Sequence, residues 1–192
     1  MSTAQITRLT AEEYLERERN AETKSEYYRG EMFAMAGASR RHMLLITNLV
    51  RELSERLRQR PCEVYAADLR LAVNPAGLYT YPDVMVVCGA PVFIDNRQDT
   101  IINPVLIIEV LSDSTKNYDR GQKFQSYRSL SSLREYLTIA QDEIHVEQHV
   151  RQPDDKWILS ETDAHDATIA LQSVGVELRV SDVYEKTDLR PT

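Results

Sequence analysis

The 192-residue chain has no apolar run that could cross a membrane. A membrane-spanning helix needs about 20 consecutive apolar residues, and no segment approaches that length. Residues 1–10 are polar and lack the apolar core of a signal peptide. These absences argue against a membrane partner, and we expect a cytoplasmic protein.

Cysteine is scarce, and repeats and low-complexity tracts are missing. Cys62 and Cys88 are far apart and show no CxxC spacing, which argues against a thiolate zinc centre. A reducing compartment requires no disulfide, so we expect two plain core or strand residues. The length suits one domain, 1–192, with a core at about 10–151 and a C-terminal extension at about 152–192.

Several catalytic motifs are also absent. The chain contains no GxGxxG, no P-loop and no GxSxG. The residues Ser112 to Thr115 suit a helix N-cap, and no histidine lies nearby in the chain to activate a serine there. His145 and His149 have HxxxH spacing, but the alternating pattern around them predicts a strand, which disfavours a zinc site.

A net positive charge is lacking as well. The formal charge of -7 argues against a nucleic-acid partner. However, residues 40–60 hold six arginines against two acids, and residues 116–134 hold five bases against one acid. Two basic helices could form a phosphate-binding face, although ordinary solvated helix faces explain the same pattern and are favoured by charge alone.

The hydrophobic periodicity predicts a mixed fold. Capping signals and apolar stripes predict helices at about 10–20, 40–60 and 115–130. A turn is predicted at residues 74–77. Strands are predicted at about 29–36, 63–73, 81–87, 104–111, 134–140, 143–151, 157–161, 167–171 and 176–178. We therefore expect an α/β (α+β) fold with a central mixed sheet flanked by helices and an antiparallel C-terminal extension.

Two carboxylates interrupt apolar strands. Glu109 lies inside the run PVLIIEVL, and Asp83 follows Pro82 directly before another apolar run. A carboxylate in a buried strand is costly unless it is paired or binds a metal. Oxygen ligands on neighbouring strands suit Mg²⁺ or Mn²⁺. For either residue alone, a salt-bridged or strand-end position remains the alternative.

A cationic helix follows the Glu109 strand. Lys116, Arg120, Lys123 and Tyr127 are spaced by three and four residues, so we expect them on one helix face that could look back at Glu109. A hard metal beside a lysine suits phosphodiester hydrolysis, because both stabilise charge on the transition state. A simply exposed lysine–tyrosine face is the alternative.

An ordered set of motifs carries a family resemblance. These motifs are YPD at 81–83, IIEVLS at 107–112 and DRGQKFQSY at 119–127, with EYYRGE, MAGAS and SLREY in the flanks. Together they resemble the restriction-endonuclease-like family of the PD-(D/E)XK nuclease superfamily over roughly residues 10–151. The resemblance implies a nuclease core, DNA as partner and Mg²⁺ or Mn²⁺ as cofactor.

The resemblance also implies roles for single residues. Asp83 and Glu109 would ligate the metal, with the Val110 carbonyl as a third ligand. The superfamily pattern places a lysine two residues after the glutamate, where this chain has Leu111, so the resemblance points to Lys123.

Three further residues are candidates for supporting roles. Tyr127 resembles a supporting residue of related nucleases. Glu31 is either a further metal-side carboxylate or a turn-exit residue, and His42 is either a buried helix residue or part of the site.

The sequence thus predicts a magnesium-dependent endonuclease that hydrolyses DNA phosphodiester bonds. A catalytically inactive nuclease-fold protein that binds DNA or another protein is the alternative, and the acidic charge and Leu111 favour it. An unrelated globular protein is the third option. A homodimer is compatible with the size, because one small domain rarely surrounds a duplex.

Overall fold

The computed structural model describes residues 8–73, 77–113 and 115–189. Most of the turn predicted at 74–77 lies outside these ranges, as does Ser114 of the predicted N-cap. No helix of the described residues is long and apolar enough to span a membrane.

The elements follow the predicted order, with finer divisions and with short elements that were not predicted at 25–28, 78–80, 100–101 and 180–183. The helices are α1 Ala11–Arg19, α2 Arg40–Leu57, α3 Lys116–Tyr118, a π-helical turn Asp119–Lys123, α4 Phe124–Tyr127 and α5 Val180–Val183. The strands are β1 Ser25–Tyr28, β2 Glu31–Ala34, β3 Cys62–Ala66, β4 Arg70–Ala72, β5 Leu78–Thr80, β6 Val84–Cys88, β7 Thr100–Ile101, β8 Leu106–Leu111, β9 Glu135–Ala140, β10 Val146–Arg151, β11 Trp157–Thr162, β12 Thr168–Leu171 and β13 Val176–Arg179.

The strands form three sheets. The central sheet has the order β11-β10-β9-β8-β6-β3, with β8 and β9 parallel and the other described pairs antiparallel. A second sheet has the order β2-β1-β5-β4-β7, and β12 pairs with β13. The predicted α+β class with a central mixed sheet and an antiparallel C-terminal extension is confirmed. The division of the chain into a core and an extension stays a prediction.

One predicted strand divides between the two large sheets, and another begins later than predicted. The segment 63–73 breaks at Ala67, whose φ of 29° turns the chain from β3 into β4. The segment 81–87 begins only at Val84, and Pro82 contributes no N–H to a ladder. Asp83 therefore lies where the chain crosses from the smaller sheet to the central one.

The N-terminal hairpin contains a strand that was not predicted. β1 pairs with β2 through a two-residue turn, Arg29 and Gly30, that joins the opposed residues Tyr28 and Glu31. Both turn residues have positive φ, 48° and 98°, which is the pattern of a type I′ hairpin turn and suits glycine at the second position.

The two cysteines form a disulfide, and the expectation of two plain strand residues is wrong. Cys62 of β3 and Cys88 of β6 stand directly opposite each other in the antiparallel pairing, with Cα atoms 4.0 Å apart. The 26-residue separation along the chain gave no sign of this register.

Helix α2 packs one apolar stripe, Leu45, Leu49, Leu53 and Leu57, into a core with the central sheet and the C-terminal strands. Ser39 caps the helix by accepting a hydrogen bond from the His42 N–H, as predicted.

The arginines of α2 and of the turn after it bind the C-terminal segment. Arg51 lies 2.7 Å from Glu185, and Arg56 lies 3.4 Å from Asp182. Arg40, Arg41 and Arg60 reach Asp188, the Thr187 carbonyl and the Gly175 carbonyl. Five of the six arginines between 40 and 60 are thus used within the chain, which disfavours a phosphate-binding face on α2.

Asn48 anchors the chain after α5 to helix α2. Its buried amide donates to the carbonyls of Val183 and Glu185, both at 2.9 Å. We expect Asn48→Ala to lower the free energy of unfolding by about 1–3 kcal/mol, because two carbonyls lose their donor. Urea denaturation measures this loss. Thr47→Ala, one residue away on the exposed side, is the control and should change stability by no more than about 0.5 kcal/mol. Equal stability of both variants would contradict the anchoring role.

Candidate active site

Three carboxylates surround the ammonium group of Lys123. Its Nζ lies 3.0 Å from Glu109 Oε1, 3.3 Å from Glu26 Oε1 and 3.4 Å from Asp119 Oδ1. Lys123, Glu109 and Asp119 are buried, and Glu26 is largely buried. The cluster joins β1, β8 and the π-helical turn at one point.

Asp83 lies against the same cluster. The Val110 N–H donates to Asp83 Oδ2 at 2.7 Å, and the Asp83 N–H donates to Glu109 Oε2 at 3.3 Å. His42 Nε2 lies 3.1 Å from Asp83 Oδ1. The structure therefore brings Asp83, Glu109, Val110 and Lys123 together, with the candidate His42 beside Asp83.

The end of a strand ladder sets the distance between the two strand carboxylates. β6 and β8 pair antiparallel with Val84 opposite Ile108. Continuing that register by one residue places Asp83 opposite Glu109 on one face, where neighbouring Cβ atoms are about 5 Å apart. Their oxygens can therefore approach a common ligand.

The helical segment after β8 presents a different face from the one predicted. Asp119, Lys123 and Tyr127, spaced by four residues, are buried, and the Tyr127 hydroxyl donates to Glu109 Oε1 at 2.6 Å. Lys116 and Arg120 are exposed and pair instead with Asp113 and Glu147. The predicted single face is wrong, because a π-helical turn with i→i+5 bonding shifts the stripe by one residue.

The hairpin contributes Glu26, which sequence reasoning did not select. Glu31, the predicted candidate, is exposed on β2 beside the turn. Glu26 faces the site, and the hydroxyls of Thr80 and Tyr118 donate to it. Because β1 was not predicted, the orientation of Glu26 could not be inferred from the sequence. Asp119 was also missed, although it stands in the third sequence motif four residues before Lys123, a spacing that indicates contact on a helix.

The buried setting shifts the protonation of the cluster. Burial raises the pKa of Glu109 to about 8, opposed by Lys123 and reinforced by Asp83 and Asp119. Burial likewise raises the pKa of Asp119. Although burial lowers the pKa of Lys123, its carboxylate neighbours hold that pKa well above the ordinary value. Lys123 is therefore a cation.

The donor set fits a divalent metal ion. Four carboxylates, those of Glu26, Asp83, Glu109 and Asp119, converge on a site with one ammonium group. Concentrated negative charge of this kind is unfavourable at low water content unless bound protons or a metal cation neutralise it. All donors are hard oxygens, which Mg²⁺ and Mn²⁺ prefer.

A second group of metal-type ligands lies elsewhere on the central sheet. Atoms of His145, Glu147 and Glu161 lie within 4.8 Å of one another. Glu147, however, already accepts hydrogen bonds from Arg120 at 3.0 Å and Thr138 at 2.7 Å. His149 does not join the group, since its ring packs against Phe124. The carboxylates around Lys123 are bonded in the same way, so His145, Glu147 and Glu161 form a second candidate metal site, separate from the Lys123 cluster.

A buried network holds the chain just before Asp83. The Tyr81 hydroxyl donates to Glu18 Oε1 at 2.8 Å and accepts from Arg70 Nη1 at 3.1 Å. Arg70 lies 3.2 Å from Asp99, which also binds Arg19. The network links α1, β4 and the chain before β7 to Tyr81. It therefore fixes the position of the segment that carries Asp83 from the smaller sheet to the central sheet.

The fold and the carboxylate site define a restriction-endonuclease-like protein. A crystal structure described as "a putative nuclease belonging to DUF820", from Anabaena variabilis ATCC 29413, has the same fold. It superposes with a TM-score of 0.77 at 19% sequence identity and covers 93% of this chain and 99% of that one.

Sequence comparison places the chain within that class. It belongs to the Uma2 family, described as "Putative restriction endonuclease", whose sequence profile matches residues 11–181. Two uncharacterised proteins of Synechocystis sp. PCC 6803 are similar. One, sll1609, is 44% identical over 161 residues, 84% of this chain and 91% of its own length. The other, slr1290, is 32% identical over 183 residues, 94% of each chain.

The network behind Tyr81 predicts an acid-sensitive stability. Arg19 beside Asp99 lowers the pKa of that carboxyl to about 2. Because the folded pKa lies below the unfolded one, the stabilisation is complete above about pH 4 and is lost as pH falls towards 2. Allowing for partial exposure, we expect a loss of roughly 1 kcal/mol over this range, measured by urea denaturation. Asp99→Asn should remove this part of the pH dependence, whereas Asp68→Asn, at an exposed surface pair, should keep it. An unchanged profile in Asp99→Asn would contradict the assignment.

Proposed function

We propose that this protein is a metal-dependent endonuclease that hydrolyses DNA phosphodiester bonds. The observation that carries the proposal is the convergence of Asp83, Glu109 and Lys123 in one largely buried cluster. The Lys123 ammonium lies 3.0 Å from Glu109, although Lys123 does not lie on the Glu109 strand as the lysine of the superfamily pattern does. A lysine on the following helix would thus take the role that the superfamily pattern gives to a lysine two residues after the glutamate. Family membership and fold support the same activity.

Asp83, Glu109 and the Val110 carbonyl would hold Mg²⁺ or Mn²⁺. The Val110 N–H points to Asp83, and in a strand the carbonyl of a residue leaves on the same side as its N–H. The β6–β8 ladder ends at Val84, so that side of β8 faces the carboxylate of Asp83. A divalent cation bound there supplies an activated water and neutralises charge on the phosphate.

Lys123 would stabilise the negative charge that develops on the phosphate. An ammonium group in a site of low water content acts strongly on such charge, provided that it is held in place beforehand. Glu26 and Asp119 hold Lys123 from two sides, while Tyr127 fixes the Glu109 oxygen that faces it. These three residues position the cation and the carboxylate.

His42 would position Asp83. Its Nε2 contacts Asp83 Oδ1, leaving the Oδ2 side to the Val110 N–H. Helix α2 carries His42 in its first turn, so the helix start sets where the Asp83 carboxylate lies. Substitution of His42 would therefore act through metal affinity.

The test is cleavage of supercoiled plasmid and of single-stranded DNA with Mg²⁺ or Mn²⁺. Asp83→Asn, Glu109→Gln and Lys123→Met should each reduce the rate by about 100-fold or more while remaining folded by circular dichroism. Wild-type protein that binds DNA but never cuts it would support the inactive binding module instead. Normal cutting by Lys123→Met would remove the lysine from the mechanism.

The two glutamates of the hairpin provide a matched pair. Glu26→Gln should lower the cleavage rate by about tenfold or more, since Lys123 loses one of the carboxylates that hold it. Glu31→Gln, on the neighbouring strand, should stay within twofold of wild type because it is exposed beside the turn. The reverse order of the two rates would show that Glu31, the residue chosen from the sequence, is the functional one.

A further inference from the structure

An exposed aromatic ring lies beside the carboxylate site. Among the described residues, Phe33 is 48% exposed and is the aromatic member of a small set of strongly exposed large apolar side chains. The others are Met43, Val92, Ile158 and Leu159. A lone exposed apolar residue needs no explanation, but one whose position is fixed next to a functional cluster suggests a binding role.

The strand register fixes the position of Phe33. In the β1–β2 pairing, Phe33 stands directly opposite Glu26, so both side chains lie on one face of the smaller sheet. Opposed side chains of this kind have Cβ atoms about 5 Å apart. Glu26 in turn contacts Lys123 at 3.3 Å. Phe33 is therefore one residue removed from the proposed cationic group.

Uncharged residues neighbour Phe33 along the chain, and an aromatic residue contacts its strand partner Glu26. Residues 32–39, which lead from β2 to α2, carry no charged side chain, and α2 then presents His42 to the site and Met43 to solvent. The half-buried Tyr118 donates its hydroxyl to Glu26 at 3.1 Å. The exposed Phe33 ring and the charged cluster thus meet at the Glu26–Phe33 pair.

A nucleobase has the chemistry that matches this surface. A phosphodiester held at the carboxylate cluster is covalently joined to bases, and consecutive nucleotides of a strand are only about 3.4 Å apart along a helix axis. The face of a base is available to an aromatic ring only when the base is unpaired or flipped out. A paired duplex hides those faces in its stack.

The distribution of charge along the chain also favours single-stranded over duplex DNA. Duplex binding depends largely on cationic groups that neutralise phosphates. Here Arg40 is paired with Asp188, Lys116 with Asp113, and the chain is acidic overall. With these two cations paired within the described part of the chain, stacking on an unpaired base would add affinity that a duplex cannot gain.

We propose that Phe33 stacks on an unpaired base of the substrate strand, which makes single-stranded or locally unpaired DNA the preferred substrate. This inference rests on the proposed nuclease function and goes beyond it by naming the substrate class and the residue that selects it.

The test measures binding separately from cleavage. Fluorescence anisotropy gives the affinity of the full chain for a labelled single-stranded thymidine oligonucleotide, its duplex, and single strands with an abasic position, with Ca²⁺ as the divalent cation. Phe33→Ala should weaken single-strand binding about fivefold or more, and Phe33→Trp should retain it. The duplex should lose less than twofold. Leu159→Ala, at a similarly exposed apolar residue on β11, is the matched control and should bind like wild type.

Abasic strands give the decisive comparison. When the base that meets Phe33 is missing, wild type and Phe33→Ala should bind with equal affinity. Equal affinities on intact strands, an equal loss on duplex and single strands, or no DNA binding by wild type would each overturn the inference. So would a wild-type dimer that Phe33→Ala dissociates in light scattering, since the ring would then contact a second copy.

Different results would refute the proposed nuclease function and the proposed stacking of Phe33. Phe33-dependent binding without any Mg²⁺- or Mn²⁺-dependent cleavage would refute the nuclease function and leave the stacking intact. Cleavage that requires Asp83 but proceeds equally in Phe33→Ala on single strands and duplexes would refute the stacking alone.

Discussion

The buried ammonium group of Lys123 among three carboxylates is the interaction on which the arrangement of this protein depends. It ties the N-terminal hairpin through Glu26, the central sheet through Glu109 and the helical segment through Asp119. An isolated buried charge is costly, and removing one partner of a buried pair leaves the other uncompensated. The surplus of carboxylates over ammonium groups is what the proposed divalent cation would neutralise.

The chain crosses from the smaller sheet to the central sheet at Asp83, a residue of the proposed metal site. The chain leaves the smaller sheet after β5, passes Pro82 and enters the central sheet at β6, with Asp83 at the crossing. The network of Tyr81, Arg70 and Glu18 fixes the near side, and the antiparallel ladder with β8 fixes the far side. The register that pairs β6 with β8 in the core also places Asp83 opposite Glu109. The same strand pairing therefore determines both the fold and the geometry of the site.

Site residues could be predicted from the sequence where a charged side chain interrupts an apolar segment or belongs to an ordered motif. Asp83 and Glu109 stood out as charges beside or within apolar runs, and Lys123 stood out through its place in an ordered motif. Glu26 was missed because β1 shows no clear alternation, and the Cys62–Cys88 disulfide was missed because strand register is a long-range property. The arginines of α2 were visible as a group, but their partners lie in a C-terminal segment more than 100 residues away in the chain. The π-helical turn altered which side chains face inward, and no periodicity in the sequence marks it.

The central claim is that the cluster around Lys123, and not the group on the β10 side of the central sheet, binds a divalent cation. Anomalous diffraction from crystals soaked in Mn²⁺ tests this most directly, since it locates the ion without reference to activity. The account predicts a peak between the carboxylates of Asp83 and Glu109, within reach of the Val110 carbonyl, that is lost in Glu109→Gln. A peak confined to His145, Glu147 and Glu161, or no peak beside Asp83 and Glu109 in well-ordered crystals, would contradict it.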